Sequence, residues 1–202
     1  MTKLLALILF LWLTSMTSEA QVLPINQLDT MPVYSNLQEA LINPKNVYRL
    51  DLTKQKLKEF PREIFLLTNL NELILDKNKI SVIPDSISVL KNLQILSAER
   101  NVIENFNIKI TGLKDMYKLN LADNLIEKIP DQIDDLKKLE YLILWDNPIS
   151  YYPLSMNEME NLKYMDLLNN QMNAITQERL RTTLPKCKII FSPPCNCMDG
   201  VE

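Results

Sequence analysis

The 202-residue sequence contains no histidine, only two glycines, and three cysteines, all beyond position 186. Without histidine there is no Ser-His-Asp or Cys-His catalysis, no imidazole-ligated metal and no histidine pH switch. Two glycines as far apart as Gly112 and Gly200 build neither a phosphate-cradling loop nor a dinucleotide fingerprint. Basic runs are missing as well. The 22 Lys and Arg are scattered among 25 Asp and Glu, for a net charge of −3, so the Lys/Arg footprint that nucleic acid requires is absent. Hydrophobic residues make up 47% and charged residues 23%, ordinary proportions for a folded soluble protein. The length suits one or two domains of about 100–200 residues. This composition leans away from an enzyme.

The one long apolar run is at the start. Lys3 precedes ten unbroken apolar residues, Leu4 to Leu13, followed by Thr14-Ser15-Met16-Thr17 and the triplet Ser18-Glu19-Ala20. A charged n-region, an apolar h-region and a small-x-small triplet are the layout of a secretory signal peptide. Ten residues fall short of the ~20 needed to span a bilayer. The expectation is cleavage after Ala20, leaving a mature chain from Gln21 that is soluble, has no membrane span, and is exported to the periplasm or the medium.

Shifted by 23 residues, the chain matches itself. Repeats start at Val47, Leu70, Leu93, Met116, Leu139 and Leu162. Position 4 of each is Leu50, Leu73, Leu96, Leu119, Leu142 and Met165. Position 6 is Leu52, Leu75, Ala98, Leu121, Leu144 and Leu167. Position 9 is Gln55, Asn78, Asn101, Asn124, Asn147 and Asn170, and position 15 is Pro61, Pro84, Asn107, Pro130, Pro153 and Thr176. Self-similarity at this period marks a solenoid, whose single coils cannot bury an apolar face alone. Positions 4 and 6 alternate with 3, 5 and 7, the period-2 signature of a short strand. The proline at 15 fixes φ where the chain turns along the far side. There, apolar positions 14, 18 and 21 are spaced as in a helical or 3₁₀ turn.

These columns resemble the leucine-rich repeat family, L-x-x-L-x-L-x-x-N-x-L with a following L-P-x-x-I-x-x-L, and its 23-residue Ras-suppressor class. The resemblance covers residues 47–172. It implies an α/β solenoid: a curved parallel sheet on the concave side and short helical or 3₁₀ turns on the convex side. It also makes Asn78, Asn101, Asn124, Asn147 and Asn170 a structural ladder, and implies a recognition scaffold that binds a protein or peptide without a cofactor. The ends of such a stack need covers. Residues 21–46 are expected to hold the front cover, with a capping helix over 35–43 opened by Ser35 as N-cap and Gln38 at N3. Residues 173–202 form the rear cover, with a helix over 175–184, a strand over 186–191 and a tail.

Three sets of residues could carry chemistry. In an oxidising compartment disulfides persist, so Cys187 is expected to bridge to Cys195 or Cys197. The odd third thiol then stays free or pairs between molecules. A thiolate metal site would lack its fourth ligand. The carboxylates Glu72, Asp76 and Glu99 lie close together on adjacent strands, but with Lys77, Arg100 and Lys118 beside them they read as a solvated, charge-balanced surface. Last are the outward strand positions. Most are charged or mixed, but the last two rows are Tyr141, Ile143, Trp145 and Tyr164, Asp166, Leu168. Aromatic residues are enriched at binding hot spots, and clustered exposed apolar surface marks contact sites. These six are the expected partner-binding residues. A carbohydrate- or envelope-binding structural role is the alternative. An enzyme is disfavoured because repeats and covers consume the chain.

Overall fold

The computed structural model describes residues 22–196; the predicted signal peptide, residues 1–20, and Cys197 lie outside the described residues. Eight short strands form one sheet in sequence order: β1 (Val33–Tyr34), β2 (Arg49–Asp51), β3 (Glu72–Ile74), β4 (Ile95–Ser97), β5 (Lys118–Asn120), β6 (Tyr141–Ile143), β7 (Tyr164–Leu167) and β8 (Lys188–Phe191). Every pairing is parallel. Leu50, Leu73, Leu96, Leu119, Leu142 and Met165 stand in register across β2 to β7. The period-2 alternation turns these residues, and Leu75, Ala98, Leu121 and Leu144 beyond them, into the interior, where all are fully buried. The sheet has one strand more at each end than the six repeats supply. β8 falls within the strand expected over 186–191; β1 carries no periodic signal.

Opposite the sheet, five 3₁₀ turns cover Arg62–Leu66, Asp85–Val89, Ile108–Gly112, Asp131–Asp135 and Leu154–Glu158. Each begins directly after the position-15 residue. Proline occupies four of these starts, and its carbonyl accepts the first turn bond, as from Ile87 N–H to Pro84 O at 2.9 Å. At the fifth start Asn107 replaces proline and caps with its side chain instead. Its Oδ1 accepts from Lys109 N–H (2.8 Å) while its Nδ2 donates to Ile83 O (2.7 Å) and Asp85 Oδ1 (2.9 Å). Buried Ile83, Ile87 and Leu90 show how each turn seals the core from this side.

Asparagine side chains join coil to coil where the chain leaves each strand. Asn124 is typical: its Nδ2 donates to Ala98 O, Leu121 O and Ala122 O, and its Oδ1 accepts from Ile103 N–H, all at 3.0 Å. Asn78, Asn101 and Asn147 repeat this set, so the side chains supply partners to backbone groups at a bend that the sheet does not reach. Immediately before each, at position 8, the backbone is left-handed: φ is 59° at Lys54, 57° at Lys77, 56° at Arg100, 51° at Asp123 and Asp146, and 55° at Asn169. None of the six is glycine.

Among the described residues three α-helices sit at the ends: α1 (Ile25–Leu28), α2 (Leu37–Ala40) and α3 (Ala174–Thr183). The front helix starts later and is shorter than expected. Its N-cap is Asn36, not Ser35, because Asn36 Oδ1 takes both Gln38 N–H (2.8 Å) and Glu39 N–H (3.2 Å). A 3₁₀ turn at Pro44–Asn46 follows. In front of α1, Leu23 lies along the sheet edge. Its N–H donates to Asn71 Oδ1 (3.1 Å) and its carbonyl accepts from Gln94 Nε2 (2.7 Å), which closes over two buried amides. At the rear, Arg179 fastens α3 to the last convex turn through Tyr152 O (2.9 Å), Pro153 O (3.3 Å) and Asn157 Oδ1 (3.2 Å). Among the described residues no helix is long and apolar enough to cross a membrane.

Candidate functional site

The outward positions of the strands form three rows across the sheet. Along β2 to β8 the first row reads Arg49, Glu72, Ile95, Lys118, Tyr141, Tyr164 and Lys188. The second reads Asp51, Ile74, Ser97, Asn120, Ile143, Asp166 and Ile190. The third, just beyond the strands, is Thr53, Asp76, Glu99, Ala122, Trp145 and Leu168. Parallel register with no slip in the repeats is what sets these side chains one above another.

The first half of this face is acidic and internally satisfied. Glu72 is buried, contrary to a fully solvated reading, and forms an ion pair with Arg49. Asp76 Oδ1 accepts from Ser97 Oγ (2.7 Å) and Glu99 N–H (2.8 Å). Partial burial nonetheless holds its pKa above the ordinary 3.8, with a smaller contribution from the charges of Glu99 and Asp51. Glu99 accepts from Asn120 Nδ2 at 3.1 Å. Among the described residues no group of acids and cysteines is arranged to hold a metal.

The second half brings the six expected residues together. Tyr141 pairs with Tyr164, and Ile143 with Asp166, on adjacent strands. All six are at least partly exposed, Leu168 most, at 37%. Trp145 stands beside fully buried Ala122, and across that small residue the Arg100 guanidinium lies 5.9 Å from its ring centroid. Tyr141 meets the Tyr117 ring at 5.3 Å. Tyr164 hydroxyl donates to Asp166 Oδ2 (3.1 Å), and Asp166 Oδ1 accepts from Leu168 N–H (3.1 Å). Burial, then the nearby Asp166 carboxylate, raises the Tyr164 pKa. Lys188 Nζ sits 5.9 Å from the Tyr164 ring centroid. Sequence reasoning missed Arg100, Lys188 and Ile190 as members of this face. Lys188 and Ile190 follow once the strand over 186–191 is placed in register. Arg100 reaches Trp145 from two repeats away, and no periodic signal marks that.

The cysteines are arranged differently from expectation. The Cys187 thiol is free and half-buried, and burial pushes its pKa up to about 11. It lies just before β8 and packs against the core, and being free it forms no bridge to the tail. Cys195 is disulfide-bonded, and its N–H donates to Met172 O at 3.0 Å.

A family model described as leucine rich repeat matches residues 45–103. Eight parallel strands, five 3₁₀ returns and the bend asparagines from Asn78 to Asn170 carry the same architecture over the rest of the described residues. The fold is that of a leucine-rich repeat solenoid. Among solved structures it is similar to a leucine-rich repeat protein of Leptospira interrogans, at 28% identity and a TM-score of 0.59, covering 81% of this chain and 49% of that one. It is similar to the leucine-rich repeat ectodomain of the plant membrane receptor kinase GASSHO1/SCHENGEN3 from Arabidopsis thaliana, in complex with CASPARIAN STRIP INTEGRITY FACTOR 2, at 27% identity and a TM-score of 0.63, covering 74% of this chain and 18% of that one. A third is the plant peptide hormone receptor RGFR1 in complex with RGF2, at 28% identity and a TM-score of 0.55, covering 61% and 20%. The chain thus spans about half the length of the first and about a fifth of each receptor. No curated protein sequence matches it.

Proposed function

We propose that this chain is an exported, non-catalytic recognition module of the leucine-rich repeat type that binds a protein or peptide on the C-terminal half of its concave face, through Tyr141, Ile143, Trp145, Tyr164, Asp166 and Leu168. The observation that carries the reading is Trp145. A large aromatic side chain is left partly exposed next to an alanine, inside a field of Tyr141, Ile143 and Leu168. Aromatic anchors of this kind dominate binding energy at interfaces. Two structurally similar plant receptors are recorded in complex with ligands, one of them a peptide hormone receptor, which supports a protein or peptide as the ligand class. Eight strands at ~4.8 Å make the sheet roughly 34 Å wide, yet strands of about four residues are only ~13 Å tall. A face of roughly 440 Å² falls below the ~800 Å² per partner of a standard interface. The partner is therefore a short segment, or it also grips the rim beside Asp123 and Asp146. Export rests on the signal-like Leu4–Ala20 segment, and the non-catalytic reading on a sequence that carries no histidine.

The test is capture of the partner from the secreted or periplasmic fraction with the wild type and with Trp145→Ala. Trp145→Ala is expected to leave stability within ~0.5 kcal/mol and to weaken binding by ~2 kcal/mol or more, while Ile74→Ala on the acidic half changes binding little. Unaltered capture by Trp145→Ala would refute the site, and capture of polysaccharide alone would favour an envelope-binding role.

A further inference from the structure

The first outward row ends Lys118, Tyr141, Tyr164, Lys188, each the register partner of the next on β5 to β8. All four leave the same face of the sheet. Two tyrosines thus stand side by side with a lysine on either flank. Neither lysine is ion-paired with any described residue, whereas nearby cations off this face are neutralised: Lys163 by Glu140 at 2.6 Å and Lys138 by Asp115 at 2.5 Å. The carboxylate within the field, Asp166, is turned to the Tyr164 hydroxyl and the Leu168 N–H, and forms no ion pair with either lysine. Between the lysines the surface is Tyr141, Tyr164 and Ile143. Three strand steps of ~4.8 Å separate the lysine backbones by about 14 Å, the length of four residues of extended chain at ~3.4 Å each. In an extended chain residues i, i+2 and i+4 point the same way.

Resting on the reading of this face as a peptide-binding surface, we propose that its ligand is an acidic–apolar segment. It lies extended across β5 to β8, with carboxylate side chains four residues apart against Lys118 and Lys188. An apolar side chain midway between them sits on Tyr141, Tyr164 and Ile143. The acidic floor of Asp51, Asp76 and Glu99 on the other half repels such a segment, which confines it to the C-terminal strands. Charge complementarity of this kind fixes register and rejects wrong partners.

The test uses three capped heptapeptides, acetyl-Gly-Glu-Ser-Leu-Ser-Glu-Gly-amide and the versions with both Glu replaced by Gln or by Lys, titrated calorimetrically into the protein. The Glu peptide is expected to bind at least tenfold tighter than the Gln peptide and to lose that advantage as salt rises. The Lys peptide is expected to bind weakest. Lys118→Glu with Lys188→Glu should reverse the order in favour of the Lys peptide, and Lys118→Gln with Lys188→Gln should level it. Equal affinity for the Glu and Gln peptides overturns the acidic ligand; if Trp145→Ala abolishes both, the binding face itself still stands. Binding of Glu and Gln peptides that ignores both the lysines and Trp145 overturns the face as well. Failure of all three peptides to bind, or saturable binding of polygalacturonate in their place, overturns the peptide proposal.

Discussion

Arg100 and Trp145 are 45 positions apart and belong to repeats separated by a whole coil, yet the guanidinium carbon lies 5.9 Å from the indole centroid. Ala122, the neighbour of Trp145 in the third outward row whose carbonyl accepts from Arg100 N–H at 3.0 Å, is too small to intervene. Arg100 is itself steadied by Asp123 at 3.2 Å and Glu99 at 3.7 Å. Trp145 is therefore held by an arginine from the N-terminal side of the sheet.

Replacing this arginine tests the contact. A cation over an aromatic face is worth ~0.5–1 kcal/mol at an exposed site. Arg100→Ala is expected to lower stability by about that amount in urea melts and to weaken the near-ultraviolet tryptophan dichroism as the ring gains freedom. Arg100→Lys keeps the charge but lacks the planar group that stacks, so it should restore only part of the dichroism. An unchanged spectrum in Arg100→Ala would show that the stack does not order the ring.

Removing one rung of the asparagine ladder should be far more damaging than removing a surface side chain. Asn124→Ala strands the Ile103 N–H and takes a donor from three carbonyls. Each buried polar group left without a partner costs ~1–3 kcal/mol. The expected loss is at least ~3 kcal/mol, against less than ~0.5 kcal/mol for exposed Lys79→Ala on the loop two coils before it. A loss below ~1 kcal/mol in Asn124→Ala would mean that water replaces the side chain.

Asp76 gives the fold a pH dependence of defined sign. Its pKa is raised above 3.8, chiefly by burial. The native state therefore binds this proton more tightly than the unfolded chain does, and the ionised carboxylate burdens the fold at neutral pH. Asp76→Asn retains an oxygen for Ser97 and Glu99 while removing the charge. It is expected to raise the urea midpoint at pH 7, with the advantage fading as pH falls through the raised value toward 3.8. An Asn variant less stable than wild type at pH 7 would show that the hydrogen bonds need the full charge.

The Cys187 thiol should be chemically quiet while the protein is folded. Its pKa is about 11 instead of the ordinary 9.0, and two units mean a roughly hundredfold smaller thiolate fraction at pH 8. Iodoacetamide is expected to label Cys187 at least ~100-fold more slowly in buffer than in urea, as followed by peptide mass spectrometry. Because the folded pKa is the higher one, stability should also decline as pH climbs from 9 toward 11. Equal labelling rates with and without urea would place this thiol in solvent.

What the sequence made legible is what the repeat itself encodes. The buried columns at positions 4 and 6, the bend asparagines and the convex turns follow from a 23-residue period because neighbouring coils must bury one another. Features that depend on one place in the chain are opaque. Ser35 and Asn36 are adjacent capping residues, and only the path of the backbone decides that Asn36 reaches two N–H groups. The contacts of Leu23 with Asn71 and Gln94 span 48 and 71 residues, and no local pattern announces them. The free Cys187 is hidden for a similar reason: it lies just before β8, packed against the core. On the binding face, the aromatic rows could be read from strand alternation, whereas the Arg100 clamp depends on the volume missing at Ala122.

The left-handed column from Lys54 to Asn169 has a consequence for how such a surface can change. A residue with a Cβ in that conformation is strained by roughly 1–2 kcal/mol, which glycine would relieve. Glycine would also give the unfolded chain more freedom, at a cost of similar size. The two effects nearly cancel, so the rim can exchange unbranched polar side chains with little effect on folding, while β-branched residues and proline are excluded by the positive φ. Three cations followed by two carboxylates and an amide occupy it now. Beneath them the asparagine ladder and the leucine columns are locked by burial, so mutation is free to rewrite this line of charge, one coil at a time, while the fold beneath it stays the same.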